Sequence, residues 1–351
     1  MHILILSSID PIEVNGIAVS VPSLSQALRA HAHVTHIDEY NQDYAWFLKS
    51  FDFSKFEPKV DMICFQEVYK PWFWTCAKQA QRASIPYIIT PRVSLTIGAQ
   101  NQRAWKKRLA NLLFVRSFVR NARALHFLNE QEAKRSISFD HPHQILVGNG
   151  VKIPQVIDVV HREKVMLMLV RKDINHKGLD LCVQAVSKVA HLFRQQHFEV
   201  HIHGSDYRSQ KSLIQAMIDK EKVQDIVKLL PAIHEENKMN KLHTSRVILL
   251  TSRFEGHPQG LLEGLAYGCV GIASTGSNVA TQIEEHDAGY NAQDGVEGLV
   301  KAFKEFFSNE ASWQRQALNA HAWMKETAHW DKVSEVFINE LKRYIQPGEK
   351  V

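Results

Sequence analysis

At 351 residues the chain exceeds the size at which a single hydrophobic core stops growing, so two domains of about 150–180 residues are expected. Its 45% apolar and 23% charged residues exclude the disordered, collagenous and disulfide-scaffold classes. The formal net charge of +5 is unevenly placed: Lys78 to Arg135 holds 12 lysines and arginines against Glu130 and Glu132 alone, so the remainder is net acidic. Such a block attracts phosphates on nucleic acid, anionic lipid or a phosphorylated substrate, and charge alone does not choose among them.

The chain opens with a short apolar run, Ile3 to Leu6, without the basic flank and cleavage site of a secretory signal. The longest strictly apolar stretch, Val165 to Val170, is six residues, far below the ~20 that span a bilayer. Cys64, Cys76, Cys182 and Cys269 are isolated, which disfavours disulfides and thiolate zinc and fits a reducing cytoplasm.

In chain order, His2–Leu6 reads as a buried strand, and Ser20–Arg29 carries helical periodicity. Met62–Phe65 and Tyr87–Thr90 read as further buried strands, with a helix opening near Trp72–Cys76. In the second half, strands at Val165–Val170, Glu199–His203, Val247–Leu250 and Val270–Ser274 alternate with helices at Leu179–Phe193, Ser209–Lys222, Lys238–His243 and Gln259–Tyr267. Strict alternation requires crossovers, hence doubly wound α/β domains with parallel sheets. Val147 to Pro154, with its glycines and proline, suits a linker. Ligands of such sheets bind at the strand C-terminal ends, so the expected site lies in the cleft between two domains.

The densest chemistry is Thr251-Ser-Arg-Phe-Glu-Gly-His-Pro-Gln-Gly-Leu-Leu-Glu-Gly-Leu-Ala-Tyr-Gly268, where Glu255 and Glu263 enclose seven residues. A strand ends in a loop bearing a carboxylate, and a helix begins near Pro258. Free amides of Gln259, Gly260 and Leu261 would then sit at the positive end of the helix dipole, an anion site. The segment resembles the E(x)7E element of family 4 glycosyltransferases with the GT-B fold, two Rossmann-like domains facing across a cleft. The resemblance implies that Glu255 contacts the donor sugar and stabilises its developing positive charge, that Glu263 binds the nucleotide ribose, and that Gly256, Gln259, Gly260 and Leu261 line the nucleotide-sugar site. Leu169-Val-Arg-Lys-Asp-Ile-Asn-His-Lys-Gly-Leu-Asp180 resembles the family's G-R-x-x-x-x-K-G-x-D segment, with Val170 in place of the usual glycine. Arg171 and Lys177 then supply two cations for the leaving diphosphate, and Lys177 is taken as exposed, contributing little to stability.

The N-terminal half resembles the family more loosely. Asp10 to Ser20 is similar to its glycine loop, with Gly16 alone of a usual pair, which serves either as a nucleotide-sugar contact at the diphosphate or as the glycine of a tight turn. Ile85 to Ser94 is similar to a strand and loop that often ends in His-Gly; here Arg92-Val93 stands there, making Arg92 a contact for a phosphate or acidic sugar. Asn149-Gly150 matches a turn into the linker, with Asn149 beside Arg92 as an acceptor or phosphate contact, and a helix from about Trp330 to Tyr344 matches one that crosses back onto the first domain. The resemblance implies an N-terminal acceptor-side domain of residues 1–152 joined by 330–351, and a nucleotide-sugar-binding domain of residues 153–329.

The histidine pairs His31/His33, His141/His143 and His201/His203 lack a third ligand, so no metal site is expected. From Gln102 to Arg123, Trp105, Leu109, Leu112, Val115 and Val119 share a helical face, read as core packing, while the basic residues remain available to anionic headgroups. The expected activity is metal-independent, cofactor-free retaining transfer from a UDP-, GDP- or ADP-linked sugar to a saccharide acceptor, lipid-linked, in bacterial polysaccharide biosynthesis. The expected place is the cytoplasm, peripherally on the inner face of the plasma membrane through residues 78–135. The alternative is a catalytically silent sugar-nucleotide-binding partner subunit. A nucleic-acid-binding role has only the basic block in its favour, without a recognised motif.

Overall fold

The computed structural model describes residues 1–9, 16–101 and 103–345. By contact the chain divides into one unit of Met1–Gly150 with Trp330–Val351 and a second of Val151–His329.

The first unit holds a six-stranded parallel sheet of β1 (His2–Ser7), β2 (His33–Asp38), β3 (Met62–Phe65), β4 (Tyr87–Ile89), β5 (Ala124–Phe127) and β6 (Gln144–Leu146), ordered β2-β1-β3-β4-β5-β6. Its central strands are near-continuous apolar runs because both faces are covered. Side chains alternate across the sheet. Leu4, Leu6 and Phe65 enter a core with Phe73, Phe118 and Phe127. Ile3 and Ile5 enter another with Leu24, Leu28, Phe337 and Leu341. The last two belong to the helix Trp330–Ile345, which packs on the helix Gly16–Leu28. Gly150 makes room for it: a Cβ there would lie 2.4 Å from the ring of Trp330.

The second unit repeats the plan with β7 (Glu163–Leu169), β8 (Glu199–His203), β9 (Val227–Leu230), β10 (Ser245–Leu250), β11 (Val270–Ala273) and β12 (Gly289–Asn291), ordered β12-β11-β10-β7-β8-β9 and parallel throughout. The winding reverses between β7 and β10, where open α/β sheets leave a crevice. At the neighbouring strand end, a Cβ on Gly204 would lie 1.8 Å from the carbonyl oxygen of Val170. Gly204→Ala is therefore expected to cost about 1–3 kcal/mol or more, since backbone must move to admit the methyl; the urea midpoint of the purified variant measures it.

The structure differs from the sequence reading in two local respects. The helix expected over Leu179–Phe193 is two, Leu179–Lys188 and Ala190–Gln196, because Val189 leaves the helical region (φ −123°) and buries its branched side chain. The stripe expected as core also divides: Val115 and Val119 are buried, whereas Trp105, Leu109 and Leu112 are exposed.

Candidate functional site

Arg171 and Lys177 follow β7, and Glu255 follows β10, so the topological switch of the second sheet collects the residues of both motifs. Asp173 caps the turn Ile174–Lys177, its carboxylate accepting from the His176 amide at 3.1 Å. Gly178 ends that turn at φ +62°, and a Cβ there would lie 2.1 Å from the Thr251 carbonyl oxygen, so only glycine fits. The Thr251 hydroxyl donates to the Lys177 carbonyl at 2.8 Å, tying the loop after β7 to the end of β10.

This tie brings Lys177 Nζ to 2.5 Å from Glu255 Oε1, which also accepts from Ser252 Oγ. Burial pushes the Glu255 carboxyl up; the Lys177 ammonium, His176 and the hydrogen bonds from Lys177 and Ser252 outweigh it, holding the group below the usual carboxylate range. The Asn278 side-chain amide donates to the Glu255 carbonyl. His176 stacks on Phe254 with ring centroids 4.2 Å apart, and burial lowers its pKa. The side chains of Lys177 and Glu255 are only 16% and 10% exposed. Lys177 is thus half of an enclosed ion pair, not an exposed lysine, and its removal strands a carboxylate.

Arg171 lies beside them. Its Nη2 donates to Asp173 at 2.9 Å, its guanidinium sits 3.9 Å from the Tyr207 ring centroid, and its Nε is buried without an acceptor among the described residues. Lys172 is the structural cation of this run, donating to the carbonyls of Gly204 and Leu230. Arg253 grips Asp180 through two hydrogen bonds of 2.9 and 2.7 Å.

The helix Gln259–Ala266 starts against β7, a Cβ on Gly260 meeting Leu169 at 3.1 Å. The expectation of a free Leu261 amide is corrected: it donates to the Pro258 carbonyl at 3.0 Å, as does Leu262 at 3.1 Å, because the first turn tightens after the proline. Gly260 lies in the first turn of that helix, half-buried. Glu263, one turn on, is held by Lys238, whose ammonium reaches its two oxygens at 2.9 and 3.0 Å. Lys238 and Tyr207 are members of this cluster that sequence spacing does not mark, since each is brought in from another element, while Ser252 and Asp173 come from the two motif loops themselves.

In the first unit Arg92 is buried, at φ +52°, and its guanidinium donates to Gln66 (2.8 Å), Ser20 (2.9 Å) and Asn149 (3.2 Å). Burial lowers its pKa to about 10 against the opposing pull of Glu132 and Glu67, leaving it cationic at neutral pH. Its guanidinium ties the ends of β3 and β4 to Asn149 and the first helix. Glu132, which sequence reasoning leaves without a role, accepts from the amides of Val93 and Leu128 at 2.6 and 3.0 Å. Gly16 begins its helix, but the loop ahead of it, residues 10–15, lies outside the described residues. Among the described residues no group of three His, Cys, Asp or Glu side chains could hold a metal ion, and no helix is long and apolar enough to cross a membrane.

Residues 152–323 match the family model of glycosyl transferases group 1. No curated protein sequence matches the chain. Among solved structures it is similar to sucrose-phosphate synthase from Thermosynechococcus elongatus (16% identity, 98% of each chain covered, TM-score 0.78). It is also similar to Anabaena HepE in complex with UDP and glucose (14% identity, 98% of this chain and 100% of that one, TM-score 0.75). A third is the lipopolysaccharide outer core galactosyltransferase WaaB (15% identity, 98% and 99%, TM-score 0.68). At these identities the likeness is one of fold. The chain has the α/β fold of GT-B glycosyltransferases, and the part of it that matches the group 1 family model is the unit carrying Lys177 and Glu255.

Proposed function

We propose that this protein is a retaining glycosyltransferase that moves a sugar from a nucleotide diphosphate to a hydroxyl of a saccharide acceptor, lipid-linked, in polysaccharide assembly. The observation that carries the reading is the Lys177–Glu255 pair at the switch point of the second sheet, with Arg171 beside it. In the proposed reaction the bond from the anomeric carbon to the leaving phosphate breaks and its electron pair goes to that phosphate. The acceptor oxygen bonds to the same face, and its proton passes to the departing phosphate. Lys177 and Arg171 neutralise the charge that accumulates there, so no divalent ion is required. Glu255, kept ionised by Lys177, faces the sugar as it becomes cationic, and Glu263 holds the ribose. Gly256, Gln259 and Gly260 line the donor site. The first unit is assigned the acceptor, with Arg92 acting by fixing Asn149 at the strand ends.

The HepE complexes contain UDP, UDP and glucose, or UDP-glucose, which makes uridine donors the first to try. A ligand bound only by the folded state stabilises it by about 2.7 kcal/mol at a hundred times its Kd. UDP, GDP or ADP is therefore expected to raise the melting temperature, and mass analysis of products from a panel of nucleotide sugars identifies the transferred sugar. A melting shift with no hydrolysis or transfer from any donor would favour the silent sugar-nucleotide-binding subunit; no shift with any nucleotide overturns both readings.

A further inference from the structure

A surface helix of a folded domain ordinarily turns its apolar side inward. The helix Ala104–Ala110 of the first unit does the reverse, and none of its residues is buried. Its inner side carries only the small Ala104 and Ala110 beside Lys107. Lys107 Nζ donates to the Ala99 carbonyl at 2.6 Å and sits 5.1 Å from the Tyr69 ring centroid. Asn111, next along, donates to Gln100 at 3.0 Å and accepts from the Tyr69 hydroxyl at 2.8 Å. Its outer side carries Trp105, Leu109, Leu112 and Leu113, at helical spacing i, i+4, i+7 and i+8; Trp105 is 69% and Leu112 73% exposed. A widened turn over Asn111–Val115, in which the Arg116 amide reaches the Asn111 carbonyl five residues back, spreads this apolar arc before Val115, Phe118 and Val119 enter the core.

The surrounding charge is of one sign. Between Glu67 and Glu130 the chain has no acidic residue. Of Arg103, Lys106, Arg108, Arg116 and Arg120, only Arg120 meets a carboxylate among the described residues, Asp140 at 3.8 Å. A second copy of this face would bring cation against cation, which opposes self-association. An anionic bilayer offers what both features need: phosphates for the basic rim and an acyl boundary for the exposed indole and leucines.

We propose that this face docks on an anionic membrane, with Trp105, Leu109, Leu112 and Leu113 entering the headgroup–acyl boundary and the flanking arginines and lysines meeting lipid phosphates. This goes beyond the electrostatic contact expected from the sequence, because burial of the apolar arc is part of the binding. It is independent of the transferase reading, since no sugar donor is involved.

The test is sedimentation of the full chain with vesicles of phosphatidylcholine alone and of equal parts phosphatidylcholine and phosphatidylglycerol. Binding is expected to the mixed vesicles, with partitioning about tenfold or more weaker for Leu109→Gln/Leu112→Gln at an unchanged melting temperature. Brominated acyl chains are expected to quench a component of the tryptophan fluorescence that Trp105→Phe removes. Absence of binding to both vesicles overturns the proposal. So does equal binding by the double variant, which means attraction by charge alone, or a wild-type dimer that the double variant dissolves.

Discussion

Lys177→Ala is expected to lower kcat by about 10²–10³, the scale of losing one preorganised charge at a developing anion. The same truncation should also lower stability by about 1–3 kcal/mol, because Glu255 is then left enclosed without its cation. These two consequences are separable. In Lys177→Ala/Glu255→Gln the uncompensated carboxylate is gone, so the melting temperature should recover toward wild type while activity stays low. Lys177→Arg keeps the charge but alters its shape and should fall between. Wild-type transfer should survive a chelator; loss of activity in EDTA with recovery in Mg²⁺ or Mn²⁺ would remove Lys177 and Arg171 from the leaving-group role.

The interior of both sheets was legible because strands covered on both faces must be apolar throughout, and Val165–Val170 or Val247–Leu250 can be little else. The strands that pattern alone does not single out are the short interior strand β5 and β2, β6, β9 and β12, the four edges of the two sheets. An edge is paired on one side only, so sequences such as His33-Val-Thr-His-Ile-Asp38 carry polar residues and lose the signal. At the site, the spacing of Glu255 and Glu263 and the position of Lys177 before Gly178 were readable. Which cation meets which carboxylate was not, since Lys238 reaches Glu263 from a separate helix and Arg171 turns to Asp173. Arg92 shows the same limit: its place after a strand is evident, but its burial depends on Gln66, Ser20 and Asn149 arriving from three other segments. The outward apolar face at Trp105 was misread as core because periodicity defines a stripe without saying which way it points.

Glu255→Gln and Glu263→Gln are expected to separate the kinetic constants. The Glu255 carboxylate is held ionised against its burial by Lys177, an arrangement suited to a charge that appears only as the glycosidic bond breaks. Its amide should cost about 10²–10³ in kcat with little change in donor KM. Glu263 is gripped through both oxygens by Lys238; in the proposed reaction it holds the two hydroxyls of a ribose that is bound equally in ground and transition states. Replacing it removes hydrogen bonds to a charged acceptor, worth about 1.5–3 kcal/mol, so donor KM should rise about 10–100-fold at nearly constant kcat. Lys238→Met should move KM in the same direction by a smaller factor, because it loosens Glu263 without deleting it. If the two glutamine variants instead lower kcat alike and leave KM alike, the division of labour between donor sugar and ribose is wrong, and the pair acts as one electrostatic unit.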